Sequence, residues 1–178
     1  MLTAKDLQPG DVLVEKRNGL FGSFLQWVVG IWLDPKYQHV RVVYHLNKFG
    51  EVDRVIEDGE IIDPQSGTRF FGVGINPIPT DLGKYTVRRP LCAPSTNNAA
   101  LTVMASRLGE PYGAYSLFAI WCRRFLGLPA PDGFGFFCSE LVCWAWSVAG
   151  YDLVPDRPDH DSAPWDLATS DRLTTLQP

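Results

Sequence analysis

Residues 136–146 read FFCSELVCWAW and join a cysteine to a strongly apolar helical pattern. Cys138 follows glycine and aromatic residues at 133–137, so the pattern predicts a helix over 139–149 that ends at Gly150. A thiol in the first turn of a buried helix lies among unpaired backbone N–H groups at the positive end of the helix dipole. This setting favours the reactive thiolate. The alternative is a buried structural cysteine, because free cysteine is among the most buried residue types.

Length and composition limit the class of protein. The chain has 178 residues, 46% of them apolar and 20% charged, which suits one domain with a packed core. A net charge of −4 without any block of Lys and Arg predicts that it does not bind nucleic acid. The four cysteines are expected to be free thiols, and their spacing contains no zinc motif, so no metal site is predicted.

Hydrophobic alternation and turn residues predict an α+β fold. An antiparallel sheet of about five strands is expected to pack against helices, with the cysteine helix near the C-terminus. The predicted strands cover residues 12–14, 38–46, 52–57, 60–63, 68–74 and 85–89. The predicted helices cover residues 20–33, 99–108 with a cap at 95–98, 112–126 and 139–149, and the tail from Tyr151 is expected to be mostly irregular.

Residues 20–33, LFGSFLQWVVGIWL, are uncharged, but a stretch of 14 residues is too short to cross a bilayer. The segment is therefore predicted to be a buried helix. The alternative is a helix that contacts lipid or a membrane surface, since its aromatic residues lie on a segment poor in polar groups.

A cysteine nucleophile needs a base within hydrogen-bond reach. His39 lies at the start of a predicted strand, where its side chain can reach the rim of the sheet and meet a helix N-terminus. His45 shares the same strand face but lies about 20 Å further along, so only one of the two can reach Cys138. His160 stands between two aspartates, which indicates a solvated turn.

The returning strand offers two carboxylates that could orient the histidine. Glu57 and Asp53 lie four residues apart and share a strand face. Either could accept the second ring N–H of His39, which would fix its tautomer and favour its charged form. The alternative for both acids is an exposed position at the sheet edge.

Five motifs along the chain resemble the circularly permuted branch of the NlpC/P60 superfamily, which consists of papain-like thiol hydrolases. In that branch the histidine strand precedes the cysteine helix, as it does here. The resemblance covers about residues 7–170 as a single domain, and FCSELV at the head of a helix is its most specific part. The motifs are Gly10-Asp11-Val12-Leu13, His39-Val40, Gly109-x-Pro111-Tyr112, Phe137-Cys138-Ser139-Glu140-Leu141-Val142 and Ala163-Pro164-Trp165-Asp166-Leu167.

The resemblance implies a catalytic triad. Cys138 matches the nucleophile and His39 the general base. Glu57 matches the third polar group, which in the permuted branch is often a glutamate on the strand after the histidine strand. Glu140 belongs to the motif, but it is expected to point away and make a structural contact. This chain departs from the family at Asp58, where an alanine commonly follows the acid.

The substrate groove is implied by the same resemblance. Tyr112 matches a tyrosine near the groove, and Gln38 and Phe137 flank the histidine and the nucleophile, so all three are predicted to contact substrate. Gln38 stands where the family often has serine.

The implied activity is that of a cysteine amidase or endopeptidase that cleaves an amide bond in peptidoglycan stem peptides through an acyl-enzyme. No metal or organic cofactor is required. Two alternatives share the fold: a lipid-directed acyltransferase or fatty-acyl amidase that uses residues 20–33 and the Phe134, Phe136 and Phe137 cluster, and a binding module without catalysis.

The start of the chain has charges within six residues and no apolar core, so no signal peptide is predicted. This indicates a cytoplasmic protein, or one carried by a phage or injected by another route.

Overall fold

The computed structural model describes residues 2–16, 36–47, 51–62, 67–113, 122 and 136–176. The strands are β1 (Val12–Lys16), β2 (Tyr37–Leu46), β3 (Val52–Ile62), β4 (Arg69–Pro77), β5 (Tyr85–Pro90) and β6 (Leu173–Thr175). The α-helices of this part of the chain are α1 (Pro94–Ala105), α2 (Cys138–Val148) and α3 (Pro164–Thr169). Short 3₁₀ turns cover Ala4–Asp6, Leu82–Lys84 and Asp159–Asp161. The predicted α+β class is confirmed.

The strands form one six-stranded antiparallel sheet in the order β4-β3-β2-β1-β5-β6. Its central strands are β2 and β1, where Val14 pairs with Val40. In the next pair, β2 against β3, Arg41 lies opposite Glu57. Because side chains alternate between faces, this register places His39, two residues before Arg41, on the same face as Glu57.

Each face of the sheet carries its own apolar cluster. On one face α2 packs Leu141, Val142 and Trp146 against buried valines of β1 and β2, including Val14 and Val40. The opposite face holds a second buried cluster. Its strand members are Leu13, Val43, Val52, Val55, Tyr85 and Val87. The central strands therefore bury side chains on both faces of the sheet.

The C-terminal tail is more ordered than predicted. Residues 159–161 and 164–169 are helical, and β6, which is not among the predicted strands, pairs with β5 as the sixth strand of the sheet. The Arg88 guanidinium holds this segment by donating to the carbonyl oxygens of Ser170 and Leu173 and to the hydroxyl of Thr175. Three residues are too few to show a period-2 pattern, so β6 cannot be recognised from its sequence and is defined by its pairing with β5.

Several elements also differ in extent from the prediction, and β3, α1 and the segment at Tyr112 differ most. β3 continues through Glu60 to Ile62, because β4 pairs with it along this whole length. α1 begins at Pro94 rather than Ala99, so the predicted cap at 95–98 lies inside the helix. Tyr112 does not begin a helix; it forms a bridge with Phe136.

The predicted helix at 20–33, most of 112–126 and the loop at 129–135 lie outside the described residues. Among the residues that the structure does describe, no helix has the length and apolar character needed to cross a membrane.

Candidate active site

The N-terminus of α2 presents Cys138. Phe137 caps the helix in an extended conformation, and its N–H donates to the Glu140 carboxylate at 3.3 Å, which is the structural contact expected of Glu140. Ser139 donates to the carbonyl oxygen of Ser162 at 2.7 Å and ties the helix start to the tail. Cys138 is the first helical residue and is 6% exposed. Its neighbourhood therefore contains the free backbone N–H groups of the first turn.

His39 joins Cys138 to Glu57. Its Nε2 atom lies 2.5 Å from Oε2 of Glu57, and Cys138 lies close enough to the ring for its charge to raise the pKa of the imidazole. Gly59 lies beside the ring: a Cβ atom there would stand 3.1 Å from Cε1 of His39, so a larger residue would press on the imidazole.

The charges of the three groups support one another. Burial alone would lower the pKa of His39, but the charge and hydrogen bond of Cys138, together with Glu57, raise it to about 10. Burial alone would raise the pKa of Glu57, but its hydrogen bond and charge interaction with His39, followed by Arg41 and Asn76, lower it to about 2. His39 is thus an imidazolium and Glu57 a carboxylate across the neutral range.

Of the two candidate acids, Glu57 is the one beside His39. Its side chain is 3% exposed on an internal strand, and both oxygens are bonded: Arg41 Nε lies 2.9 Å from Oε2, and Asn76 donates to Oε1 at 2.8 Å. Asp53 instead pairs with His45 at 2.9 Å, where both side chains are well exposed. The alternative in which Asp53 orients His39 is therefore wrong.

The predicted substrate residues lie in three different settings. Tyr112 is half-buried, and the pKa of its phenol is raised by burial and then by the negative charges of Cys138 and Asp58, which places it beside the nucleophile. Gln38 is exposed and donates to Glu15 at 2.9 Å. Phe137 is buried, so its side chain does not line an open surface.

The segment that carries Tyr112 crosses β4 at Gly72. A Cβ atom at Gly72 would stand 2.3 Å from the carbonyl oxygen of Glu110, so only glycine allows this approach. The Tyr112 N–H donates to the Phe71 carbonyl at 3.2 Å, which fixes the segment on the strand.

Three polar residues near the site were not predicted: Arg41, Asn76 and Asp58. Arg41 and Asn76 bond directly to Glu57. Asp58 is fully buried, and neither of its carboxylate oxygens has a hydrogen-bond partner among the described residues. Burial raises its pKa to about 8, opposed by the charge of His39 and reinforced by Glu140, Glu57 and Glu110.

Within the described ranges, no group of three or more His, Cys, Asp or Glu residues is arranged to hold a metal ion. All four cysteines are free. The site brings together a thiol, an imidazole and a carboxylate, the kinds of group that covalent catalysis by a cysteine requires.

No family model matches the chain, and no curated protein matches it in a sequence comparison.

Replacing Glu57 with Gln is expected to lower the pKa of His39 by about 1–3 units, because the neutral amide removes the charge of a directly bonded carboxylate. Titration of the imidazole proton resonances by NMR over pH 5–11 measures the change. Asp53→Asn is the matched control: it neutralises a carboxylate on the same strand that pairs with His45. Equal shifts of His39 in the two variants would contradict the assignment of Glu57 as its partner.

Proposed function

We propose that this chain is a thiol hydrolase, a cysteine amidase or endopeptidase with Cys138 as nucleophile, His39 as general acid and base, and Glu57 as the orienting carboxylate. One observation carries the proposal: His39 is bonded to Glu57 through Nε2 at 2.5 Å, and its ring lies near enough to Cys138 for the two groups to interact electrostatically. A structural cysteine has no need of a buried, charged histidine held in place by a carboxylate.

The reaction follows from these positions. The Cys138 thiolate attacks the amide carbonyl, and backbone N–H groups at the start of α2 stabilise the oxyanion. Collapse breaks the C–N bond, and the amine leaves with the proton of His39. His39 then takes a proton from water as the hydroxide attacks the thioester, which releases the acid and restores the thiolate.

The order of elements supports a permuted NlpC/P60-type fold. The histidine strand β2 and the acid strand β3 precede the nucleophile helix α2, which packs on an antiparallel sheet. The substrate class comes from the resemblance: amide bonds in the stem peptides of peptidoglycan.

The test is a digest of purified muropeptides, with products identified by mass spectrometry. Activity should disappear in parallel with alkylation of Cys138 by iodoacetamide, mapped on the peptide that contains it. The buried Cys143 serves as an internal reference, because burial raises its thiol pKa and should keep it unmodified. Cleavage that survives complete alkylation of Cys138 would refute the proposal.

A second candidate is a lipid-directed acyltransferase or fatty-acyl amidase. Phe71 is 66% exposed, Ile62 is 48% exposed, and the Phe71 carbonyl bonds to the Tyr112 N–H, so apolar surface lies next to the site. This exposed surface differs from the phenylalanine cluster that the sequence suggested for an acyl chain. In that cluster Phe137 is buried, and Phe136 packs on Trp144 with ring centroids 5.0 Å apart. Co-sedimentation with liposomes and turnover of acyl amides, without muropeptide cleavage, would favour the lipid substrate.

A further inference from the structure

Arg41 lies at the centre of a polar network behind the candidate triad. Its Nε atom is 2.9 Å from Oε2 of Glu57, and its Nη1 atom is 2.5 Å from both Oε2 of Glu15 and the hydroxyl oxygen of Tyr85. Asn76 holds the other oxygen of Glu57 from the next strand. Five neighbouring strands thus contribute to one network that ends at His39.

The guanidinium acts on the same atom that His39 uses. Oε2 of Glu57 accepts from both Arg41 and the imidazolium, and Oε1 accepts from Asn76, so the carboxylate cannot rotate without breaking bonds. Arg41 also stands between the carboxylates of Glu57 and Glu15, both largely buried. Without a cation between them, repulsion would favour a proton on one of the two.

We propose that Arg41 is a positioning residue: it holds Glu57 ionised and aimed at His39, and through Glu57 it keeps the proton on the imidazolium beside Cys138. This inference deepens the proposed function and rests on it. A residue of purely structural importance would stabilise the sheet equally at every pH. A residue that maintains the charge of Glu57 acts only where Glu57 could otherwise become protonated.

The experiment measures how the rate of Cys138 alkylation by iodoacetamide depends on pH, by mass spectrometry of the peptide that contains it. The quantity is the ratio of the rate in Arg41→Gln to the rate in the unsubstituted chain. His39 and then Arg41 lower the pKa of Glu57 to about 2, so loss of the guanidinium should raise that pKa towards the acid range that the assay covers. The ratio is expected to be level above pH 7 and to fall towards pH 4.5, where a protonated Glu57 holds the imidazolium less firmly.

Three further variants isolate the mechanism. Arg89→Gln breaks another ion pair with a buried carboxylate, Asp11, at 2.7 Å, and its ratio should stay level with pH. In a Glu57→Gln background residue 57 carries no charge at any pH, so adding Arg41→Gln should not make the alkylation rate any more dependent on pH. Arg41→Lys keeps the positive charge but cannot donate to several acceptors at once, so its alkylation rate at acid pH should lie between those of Arg41→Gln and the unsubstituted chain. If Arg41→Gln does not fold, Arg41→Lys is used in its place.

A level ratio for Arg41→Gln, or an equal fall in the Glu57→Gln background, would overturn the inference. Alkylation requires no substrate, so the two proposals fail separately. If Cys138 reacts at acid pH with the expected dependence on Arg41 but no amide is cleaved, the proposed hydrolysis fails and the positioning role stands. If Cys138 of the unsubstituted chain is unreactive below pH 7, the reactive thiol itself is refuted.

Discussion

Cys138→Ala is expected to lower kcat/KM by at least about 10³-fold for any amide that the unsubstituted chain cleaves, because it removes the sulfur proposed to form the acyl-enzyme. The same change should lower the pKa of His39 from about 10, since the charge and hydrogen bond of Cys138 are the strongest influences that raise it. Hydrolysis assays and NMR titration of the imidazole measure the two effects independently.

Cys143→Ala is the matched control. It removes a buried thiol from the same helix, at the cost of a small cavity, and should leave both the hydrolysis rate and the titration of His39 unchanged. Circular dichroism should show that both variants are folded. A Cys138→Ala chain that still cleaves its substrate, or a Cys143→Ala chain that does not, would contradict the role given to Cys138.

Much of the fold could be predicted because its signals are local. Alternation in β1 and β2 places Val12, Val14, Val40 and Val42 on one face, and the structure buries all four against α2. The apolar pattern after Cys138 gave α2 to within one residue. These elements need only their own residues to be recognised.

The start of α1 could not be predicted from caps alone. Residues 95–98 offer four candidate cap residues, but the helix begins at Pro94, a favourable first-turn position, after the extended Ala93. Asn97 is used differently: its side chain donates to the Pro9 carbonyl at 2.8 Å, beside the turn at Gly10, whose φ is +92°. A contact with residues so distant in sequence has no local signature.

The site divides in the same way. Cys138 and His39 are recognisable as a helix-start thiol and a strand-start histidine, and the choice between Glu57 and Asp53 depends on register. The pairing of β2 with β3 shifts between Val43 and His45 and again before Leu46, so counting back from the hairpin turn does not give the partners. This register places Arg41 opposite Glu57, and it cannot be predicted from the sequence without knowing how the strands pair.

Among the described residues, Asp58 is a buried acid near the site whose carboxylate has no hydrogen-bond partner. It is fully buried, as Asp11 is, but Asp11 bonds to Arg89 through both oxygens, whereas Asp58 has no such partner among the described residues. The groups that influence its charge are His39 on β2, its neighbour Glu57, Glu140 on α2 and Glu110 after α1, three of them acidic. A buried carboxyl in such surroundings keeps its proton.

Asp58→Asn is therefore expected to stabilise the folded chain, and increasingly so as pH rises. The pKa of Asp58 is raised from 3.8 to about 8, so the folded chain keeps a proton that the unfolded chain releases above about pH 4. The unsubstituted chain therefore loses stability as the pH rises from about 4 to about 8. Asparagine is neutral at every pH, so the variant does not lose this stability. The gain over the unsubstituted chain should be near zero at pH 4 and reach at most about 5 kcal/mol by pH 8.

Urea unfolding at pH 4, 6 and 8 measures this difference directly, since the titrations of His39 and Glu57 affect both chains and largely cancel. Asp11→Asn should behave oppositely and lose stability, because it leaves the Arg89 guanidinium without its carboxylate. If the gain in stability from Asp58→Asn is the same at all three pH values, Asp58 has the same pKa in the folded and the unfolded chain, and the prediction is wrong. A rising gain would establish that the buried Asp58 carboxyl stays neutral in the folded chain where it is ionised in the unfolded chain.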